Sequence, residues 1–116
     1  MKTKLTHVRV NVKNLRESLD WYKNKLGFIV AGTWPPEEPN YAHFESLDGA
    51  VFAIMEDMNY PSPGRFNFDV ENVEILWNKI KDEVIVTEEL FSTPWGSKKF
   101  TICDLDGNEL GFVQEK

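Results

Sequence analysis

The sequence lacks several features that would place it outside ordinary globular proteins. It contains one cysteine, Cys103, in 116 residues, so no internal disulfide can form, which is typical of a reducing compartment. No apolar run approaches the roughly 20 residues of a membrane span, and the N-terminal residues lead into no signal-type apolar core. We therefore expect a cytoplasmic protein with no membrane partner.

Basic residues are also scarce. Thirteen lysines and arginines face nineteen aspartates and glutamates, which gives a net charge of −6. The basic residues form no cluster in the sequence, so a phosphate backbone would be repelled and we expect no nucleic-acid partner. An acidic surface favours cationic small molecules, although a charged surface that keeps the protein in solution accounts for the same balance. The 8 Phe, 4 Trp and 3 Tyr exclude disorder and indicate a packed core.

The sequence contains an internal repeat. Val12-Lys13-Asn14-Leu15 reappears as Val70-Glu71-Asn72-Val73, and Leu47-Asp48-Gly49 reappears as Leu105-Asp106-Gly107. Both pairs are separated by 58 positions, which is half of the 116-residue chain. A shared offset of half the length predicts two similar modules.

Local patterns within each half predict the same order of elements. Residues 5–12 alternate polar and apolar side chains, as a strand with one buried face does. Asn14 can cap a helix that ends at Gly27, and turn-rich segments then separate three more stretches of strand character. The predicted order is β-α-β-β-β in each half. The predicted strands are 5–12, 28–34, 41–46 and 51–56, then 65–70, 84–90, 99–103 and 109–113, and the predicted helical stripes are Leu15, Leu19, Tyr22 and Leu26, then Val73, Leu76, Trp77 and Ile80.

These patterns predict one α+β domain of two βαβββ modules. Module 1 comprises residues 1–58 and module 2 residues 65–116, with a linker at 59–64 that contains two prolines and a glycine. The helix of each module covers one face of its sheet, so pairing two modules, within or between chains, leaves a concave surface at the other face. Strand alternation assigns to that surface His7, Arg9, Asn11, Tyr41, His43, Glu45, Val51, Ala53 and Met55 in module 1, and Arg65, Asn67, Asp69, Lys99, Thr101, Cys103, Glu109, Gly111 and Val113 in module 2.

Two segments resemble a known family. Residues 7–28 combine an apolar strand, a helix cap, the helical pair Trp21-Tyr22 and Leu26-Gly27-Phe28, and the closing segment contains Pro94-Trp95-Gly96 followed by residues 104–110. This pattern resembles the vicinal oxygen chelate superfamily of glyoxalases, bleomycin resistance proteins and extradiol dioxygenases. The resemblance implies the glyoxalase/bleomycin-resistance-like fold with a cleft, and a homodimer whose modules pair either within one chain or across chains.

The resemblance also defines where a metal would bind. Metal-dependent members carry four ligands, one from each of the first, fourth, fifth and eighth strands. In this chain those positions hold His7, Ala53, Arg65 and Gly111. One donor of four remains, and an always-protonated guanidinium adds a repelling charge. We therefore expect neither the family's usual metal site nor a cofactor.

Several candidate residues leave alternatives open. His7, His43 and Glu45 could form a displaced metal set, or His7 could be a hydrogen-bonded wall of the cavity. Arg65 could clamp an anion, or pair with Asp69 or Glu109. Trp34, Tyr41 and Trp95 could stack on a flat or cationic ligand at the cleft mouth, or lie in a dimer contact. Trp21 and Trp77 are interpreted as packing residues, and Cys103 has no base partner that would make it a nucleophile.

The sequence thus predicts a metal-independent protein that binds a small molecule, similar to bleomycin resistance proteins that sequester an antibiotic. The expected ligand is planar or cationic. The expected ligand-binding residues are His7, Arg9, Asn11, Trp34, Tyr41, His43, Arg65, Asn67 and Trp95. The alternative is a metal-dependent lyase or dioxygenase that uses His7, His43 and Glu45.

Overall fold

The computed structural model describes residue 2 and residues 5–58 and 64–115. The chain divides into two compact units, Met1–Ser62 and Pro63–Lys116. Within the described ranges each unit has the order β-α-β-β-β, which confirms the predicted α+β class and the repeated element order. Apart from Gly64, the predicted linker 59–64 lies outside the described residues.

The elements agree closely with the sequence pattern, with strand ends shifted by one or two residues. In the described ranges neither helix is both long enough and apolar enough to cross a membrane. In module 1 the elements are β1 (His7–Val12), α1 (Leu15–Leu26), β2 (Val30–Trp34), β3 (Tyr41–Phe44) and β4 (Val51–Glu56). In module 2 they are β5 (Arg65–Asp69), α2 (Val73–Ile80), β6 (Ile85–Ser92), β7 (Lys98–Cys103) and β8 (Glu109–Gln114).

Each module forms a four-stranded mixed sheet. The strand orders are β1-β4-β3-β2 and β5-β8-β7-β6, so the first strand of each module pairs in parallel with the last. The registers repeat as well. Ala53 of β4 pairs with Arg9 on one side and with His43 on the other, and Gly111 of β8 pairs in the same way with Asn67 and Thr101. The 58-residue offset in the sequence is therefore an offset in strand register.

Asparagine side chains start both helices in the same way. The Asn14 Oδ1 atom accepts a hydrogen bond from the Glu17 amide at 2.9 Å, and Asn72 Oδ1 accepts one from the Ile75 amide at 3.1 Å. This is ordinary N-capping, in which a side-chain oxygen satisfies an amide that has no partner within the helix. Gly27 ends α1 in the left-handed region at φ 76°, as the sequence predicts.

A second interaction joins each helix to the last strand of its module. The Leu15 amide donates to Glu56 Oε2 at 2.9 Å, and the Val73 amide donates to Gln114 Oε1 at 2.9 Å. Glu56 ends β4 and Gln114 ends β8. Each first-turn amide is therefore satisfied from 41 residues away in sequence, and the negative charge of Glu56 also favours the positive end of α1.

Aromatic rings fill the space between helix and sheet in both modules. In module 1, fully buried Tyr22 lies 5.3 Å from Phe44, 5.5 Å from Phe28 and 5.8 Å from Phe52, measured between ring centroids. In module 2, Phe100 lies 5.1 Å from Trp77 and 5.3 Å from Phe112. Trp77 therefore packs on the core, as we expected of the helical tryptophans.

The buried face of α1 differs from the predicted apolar stripe at one position. Ser18 is buried, whereas Leu19 is only half-buried.

Candidate functional site

The face of each sheet opposite its helix carries the predicted polar side chains. In β1 the residues Val10 and Val12 are buried, whereas His7 and Arg9 are exposed. In β3 the residues Ala42 and Phe44 are buried, and Tyr41 and His43 are half-buried. Alternation thus assigns side chains to faces correctly in both strands, because the helix side must be apolar.

Three rings lie together on this face of module 1. The His7 Nε2 atom and the Tyr41 hydroxyl are hydrogen-bonded at 2.8 Å, and their rings are nearly parallel, with 16° between planes and 6.1 Å between centroids. The His43 ring also neighbours Tyr41, with centroids 5.9 Å apart and 45° between the ring planes. We call His7, Tyr41 and His43 the aromatic face. Its rings are exposed at His7 and half-buried at Tyr41 and His43.

His43 leans over a glycine of the edge strand. A Cβ atom placed on Gly32 would lie 2.7 Å from His43 Cε1, closer than carbon atoms approach without a shift. Gly32 pairs with His43 between β2 and β3, next to a register irregularity in β2. A glycine inside a strand is typical of such a close approach by a neighbouring group. The missing side chain of Gly32 is therefore what leaves room for the imidazole.

The predicted tryptophans are on the surface. Trp34 is 64% exposed and pairs with Tyr41 across β2 and β3, so its side chain leaves the sheet on the side of the aromatic face. Trp95 is 69% exposed in the turn between β6 and β7 of module 2.

Arg9 is exposed on β1 and makes no hydrogen bond or ion pair within the ranges that the structure describes. Asn11 is half-buried on the same strand face.

The corresponding face of module 2 is ionic. The Arg65 Nη2 atom donates to Glu88 Oε1 at 3.0 Å and to Thr101 Oγ1 at 2.9 Å, and Arg65 Nε lies 3.9 Å from Glu109 Oε2. Thr101 Oγ1 donates in turn to the same Glu88 oxygen at 3.0 Å. Two carboxylates thus accompany one guanidinium. We call Arg65, Glu88, Thr101 and Glu109 the ionic cluster.

The ionic cluster contains one of the two ion pairs predicted for Arg65. The predicted pair with Glu109 is present, and Glu88 is a partner that the sequence did not indicate. Among the described residues no ion pair joins Arg65 to Asp69. The two carboxylates partly compensate the positive charge of Arg65, which disfavours the anion clamp, although exposed ion pairs such as these are weak.

The side chain of Asn67 lies against Gly111, its partner on the neighbouring strand β8. A Cβ on Gly111 would collide with Asn67 Oδ1 and would lie 3.2 Å from Lys99 Cε. The equivalent position in module 1 is Ala53, which is fully buried between Arg9 and His43 on the neighbouring strands. The two faces therefore share one backbone register but differ in chemistry.

The donor set does not fit a divalent ion. Of the four positions that the family resemblance assigns to ligands, only His7 carries a donor, and its Nε2 atom is hydrogen-bonded to Tyr41. Arg65 is held by Glu88 and Thr101. The alternative set is not assembled either, because β3 ends at Phe44 and Glu45 is exposed beyond it. Within the described part of the chain no three His, Cys, Asp or Glu residues are arranged to hold a metal ion.

The surroundings of Cys103 lower the reactivity of its thiol. Partial burial raises its pKa first, and the negative charges of Glu109 and Asp104 raise the pKa further. Glu109 is its direct partner across β7 and β8. A raised pKa lowers the fraction of thiolate, which is the nucleophilic form. This agrees with the expectation that Cys103 is not a nucleophile.

We predict that iodoacetamide alkylates Cys103 more slowly than a free cysteine at pH 8, and that Glu109→Gln accelerates the reaction. Removal of the negative charge lowers the thiol pKa, so more thiolate is present at the same pH. The measurement is the second-order rate constant by mass spectrometry, which is unambiguous because the chain has one cysteine. Glu89→Gln, which removes an exposed carboxylate outside this group, is the control. Equal acceleration by both variants contradicts the assignment to Glu109.

Two residues of these faces were not singled out from the sequence. Glu88 lies on β6, whose register is interrupted on both sides of Glu88, so simple alternation does not predict its neighbours. Gly32 did leave a signal, because a glycine within a predicted strand indicates close approach of another group. Which group approaches follows only from the cross-strand register.

Comparisons with known proteins agree with this architecture. The family model of the Glyoxalase/Bleomycin resistance protein/Dioxygenase superfamily matches residues 4–112. No curated protein matches the chain in sequence. Many solved structures share the fold at low sequence identity.

TioX from Micromonospora sp. ML1 is similar with a TM-score of 0.83 and 14% identity, over 98% of this chain and 100% of that one. TnmS3 from Streptomyces sp. CB03234, an antibiotic binding protein, has a TM-score of 0.81 and 18% identity, over 99% and 98%. Lactoylglutathione lyase from Agrobacterium tumefaciens has a TM-score of 0.76 and 16% identity, over 98% and 95%. A binding protein and an enzyme thus share this fold, so the fold alone does not assign the activity.

Proposed function

Because the chain belongs to the glyoxalase/bleomycin resistance protein/dioxygenase superfamily, we propose that it is a metal-independent binding protein that sequesters a planar small molecule. The observation that carries the proposal is the aromatic face, in which the Tyr41 ring neighbours the imidazoles of both His7 and His43 on one sheet. The resemblance to an antibiotic binding protein supports an antibiotic or a similar molecule as the ligand. In this proposal the protein is a cytoplasmic homodimer, as the sequence led us to expect.

The chemistry of the donor positions supports binding without a metal. The side chains of Ala53 and Gly111 have no donor atom, and Arg65 is cationic. His7 has a different role in the proposal: its hydrogen bond to the Tyr41 hydroxyl restricts the motion of the Tyr41 ring. A fixed ring loses little conformational entropy when a ligand stacks on it, which favours affinity.

The ionic cluster supports a ligand with some positive charge. Arg65 faces Glu88 and Glu109, so the cluster carries a net charge of one negative unit. The chain as a whole has a net charge of −6. Both favour a cation over an anion at long range, although exposed charges are screened by salt. The proposal therefore includes planar cationic and planar neutral antibiotics as candidate ligands.

The proposal is tested by thermal denaturation against a panel of planar antibiotics. A ligand present at 100 times its Kd stabilises the native state by about 2.7 kcal/mol. For a domain of this size we expect that to raise Tm by roughly 8–15 °C. Tyr41→Ala removes the central ring of the aromatic face and should abolish the increase. Lys99→Ala changes the position of module 2 that corresponds to Tyr41 and should retain most of it.

The competing enzyme function has its own measurement. If the protein were a metal-dependent lyase or dioxygenase, protein purified without chelators would contain stoichiometric metal that is lost in His7→Ala. That result would overturn metal-independent binding. A panel without any thermal shift, for cationic and neutral compounds alike, would overturn antibiotic sequestration.

A further inference from the structure

His43 has one ring nitrogen inside the protein and one at the surface. The Nδ1 atom is buried and has no hydrogen-bond partner among the described residues. Nε2 is not among the buried atoms that lack partners, and no hydrogen bond to it is present within the same ranges. The Nε2 atom is therefore the one that solvent or a ligand can reach.

This asymmetry favours one tautomer of His43. A neutral imidazole has one N–H donor and one acceptor nitrogen, and either nitrogen can carry the hydrogen. Buried donors without a partner are rarer in proteins than buried acceptors without one, because an unpaired N–H loses its hydrogen bond to water entirely. The hydrogen is thus favoured on Nε2, where water can accept it, and the lone pair is favoured on buried Nδ1.

The position of the ring follows from Gly32. The imidazole occupies the space that a side chain at position 32 would fill, with Cε1 directed at the missing Cβ. Tyr41 flanks the ring on the same strand. Trp34 leaves β2 on the same side of the sheet two residues beyond Gly32. A donor at Nε2 would therefore lie at the edge of a ring surface.

We infer that His43 is a specificity-determining residue, held as the Nε2–H tautomer, that donates a hydrogen bond to an acceptor atom of a planar ligand. The inference rests on the proposed function and adds the ligand class: a flat ring system that carries an acceptor atom, such as a ring nitrogen or a carbonyl oxygen. A site that offers a fixed donor discriminates against ligands of the same shape that lack the acceptor.

The tautomer is measured without any ligand, in protein labelled with ¹⁵N at histidine. The chain has two histidines, so His7→Gln assigns the two sets of signals in a long-range ¹H–¹⁵N correlation spectrum at alkaline pH. We expect His43 to show a protonated Nε2 and an unprotonated Nδ1. A protonated Nδ1, or two averaged nitrogens, overturns the inference and leaves the proposed function standing.

Gly32→Ala tests what holds the ring. The added methyl group displaces the imidazole, so we expect the two nitrogens of His43 to approach the averaged shifts of an exposed histidine. Thr33→Ala changes the next residue of β2, on the opposite face, and should leave the His43 spectrum unchanged. An unchanged spectrum in Gly32→Ala overturns the role of Gly32 and with it the fixed tautomer.

The ligand class is tested with two probes of equal shape, quinoline and naphthalene. Quinoline has an acceptor nitrogen and naphthalene has none, and titrations follow the His43 signals in the parent protein and the intrinsic tryptophan fluorescence in the variants. One hydrogen bond corresponds to a preference for quinoline of about 2- to 10-fold in Kd. We expect His43→Phe to abolish the preference and His43→Gln, which keeps an N–H donor, to retain part of it.

The outcomes separate the two proposals. Equal affinity for both probes in the parent protein overturns the donor role of His43 but leaves stacking on the aromatic face intact. If neither probe binds while the Nε2–H tautomer is present, the result counts against the planar ligand of the proposed function and overturns the ligand class inferred here.

Discussion

Tyr22→Ala is expected to destabilise the protein by about 3–5 kcal/mol, the range for removing a large aromatic ring from a packed core. The Tyr22 side chain is 0% exposed and contacts Phe28, Phe44 and Phe52, which connect α1 to the strands of module 1. Truncation leaves a cavity bordered by rigid rings that cannot collapse into it. We expect Tm to fall by roughly 10–20 °C in a thermal melt.

Tyr22→Phe is the matched control. It keeps the ring and removes only the hydroxyl, so the cost should be at most about 1.5 kcal/mol. Ile80 occupies the corresponding place in module 2 and is also fully buried. A loss of Tm below roughly 3 °C in Tyr22→Ala would contradict the view that this ring organises the core of module 1.

Asp104→Ala is expected to cost about 2–4 kcal/mol, because Asp104 organises the turn between β7 and β8 from a buried position. Its Oδ1 atom accepts hydrogen bonds from the amides of Asp106 at 2.9 Å and Asn108 at 2.8 Å, and its Oδ2 accepts one from Asn108 Nδ2 at 2.9 Å. Asp104 is 4% exposed and Asn108 is 1% exposed. Substitution removes three hydrogen bonds where water has little access, and each buried donor left unpaired costs about 1–3 kcal/mol.

Module 1 contains the matched control for this turn. Ser46 occupies the position that corresponds to Asp104, and it is exposed, with its hydroxyl donating to the carbonyls of Asp48 and Ala50. We expect Ser46→Ala to cost less than about 0.5 kcal/mol, as for most exposed substitutions. Chemical denaturation of both variants gives the comparison. Similar losses for Ser46→Ala and Asp104→Ala would contradict the argument from burial.

The modular fold was predictable because its signals are local and repeated. Asn14 and Asn72 are in equivalent positions and cap equivalent helices, and alternation in β1 separates Val10 from His7 and Arg9. Each of these signals depends on a few consecutive residues and the period of one element. The shared 58-residue offset then extends a prediction made in one half to the other.

The candidate site was only partly predictable, because its key contacts join residues that are distant in sequence. Alternation assigns Tyr41 and His43 to one face, but the lean of His43 over Gly32 depends on the pairing of β2 with β3. The partner of Arg65 was identified in part: Glu109 follows from the parallel pairing of β5 with β8, whereas Glu88 reaches Arg65 through an irregular edge strand. Glu45 was assigned to the sheet face because β3 was extended by two residues beyond Phe44.

The hydrogen bonds from the Leu15 and Val73 amides bear on how each module forms during synthesis. Glu56 and Gln114 are the acceptors, and each lies at or near the end of its module. A nascent chain that stops short of Glu56 contains all of α1 but not the acceptor for its first amide, so that amide must donate to water instead. The contact can form only when the final strand of the module is present, so it couples the start of each helix to the last strand of the same module.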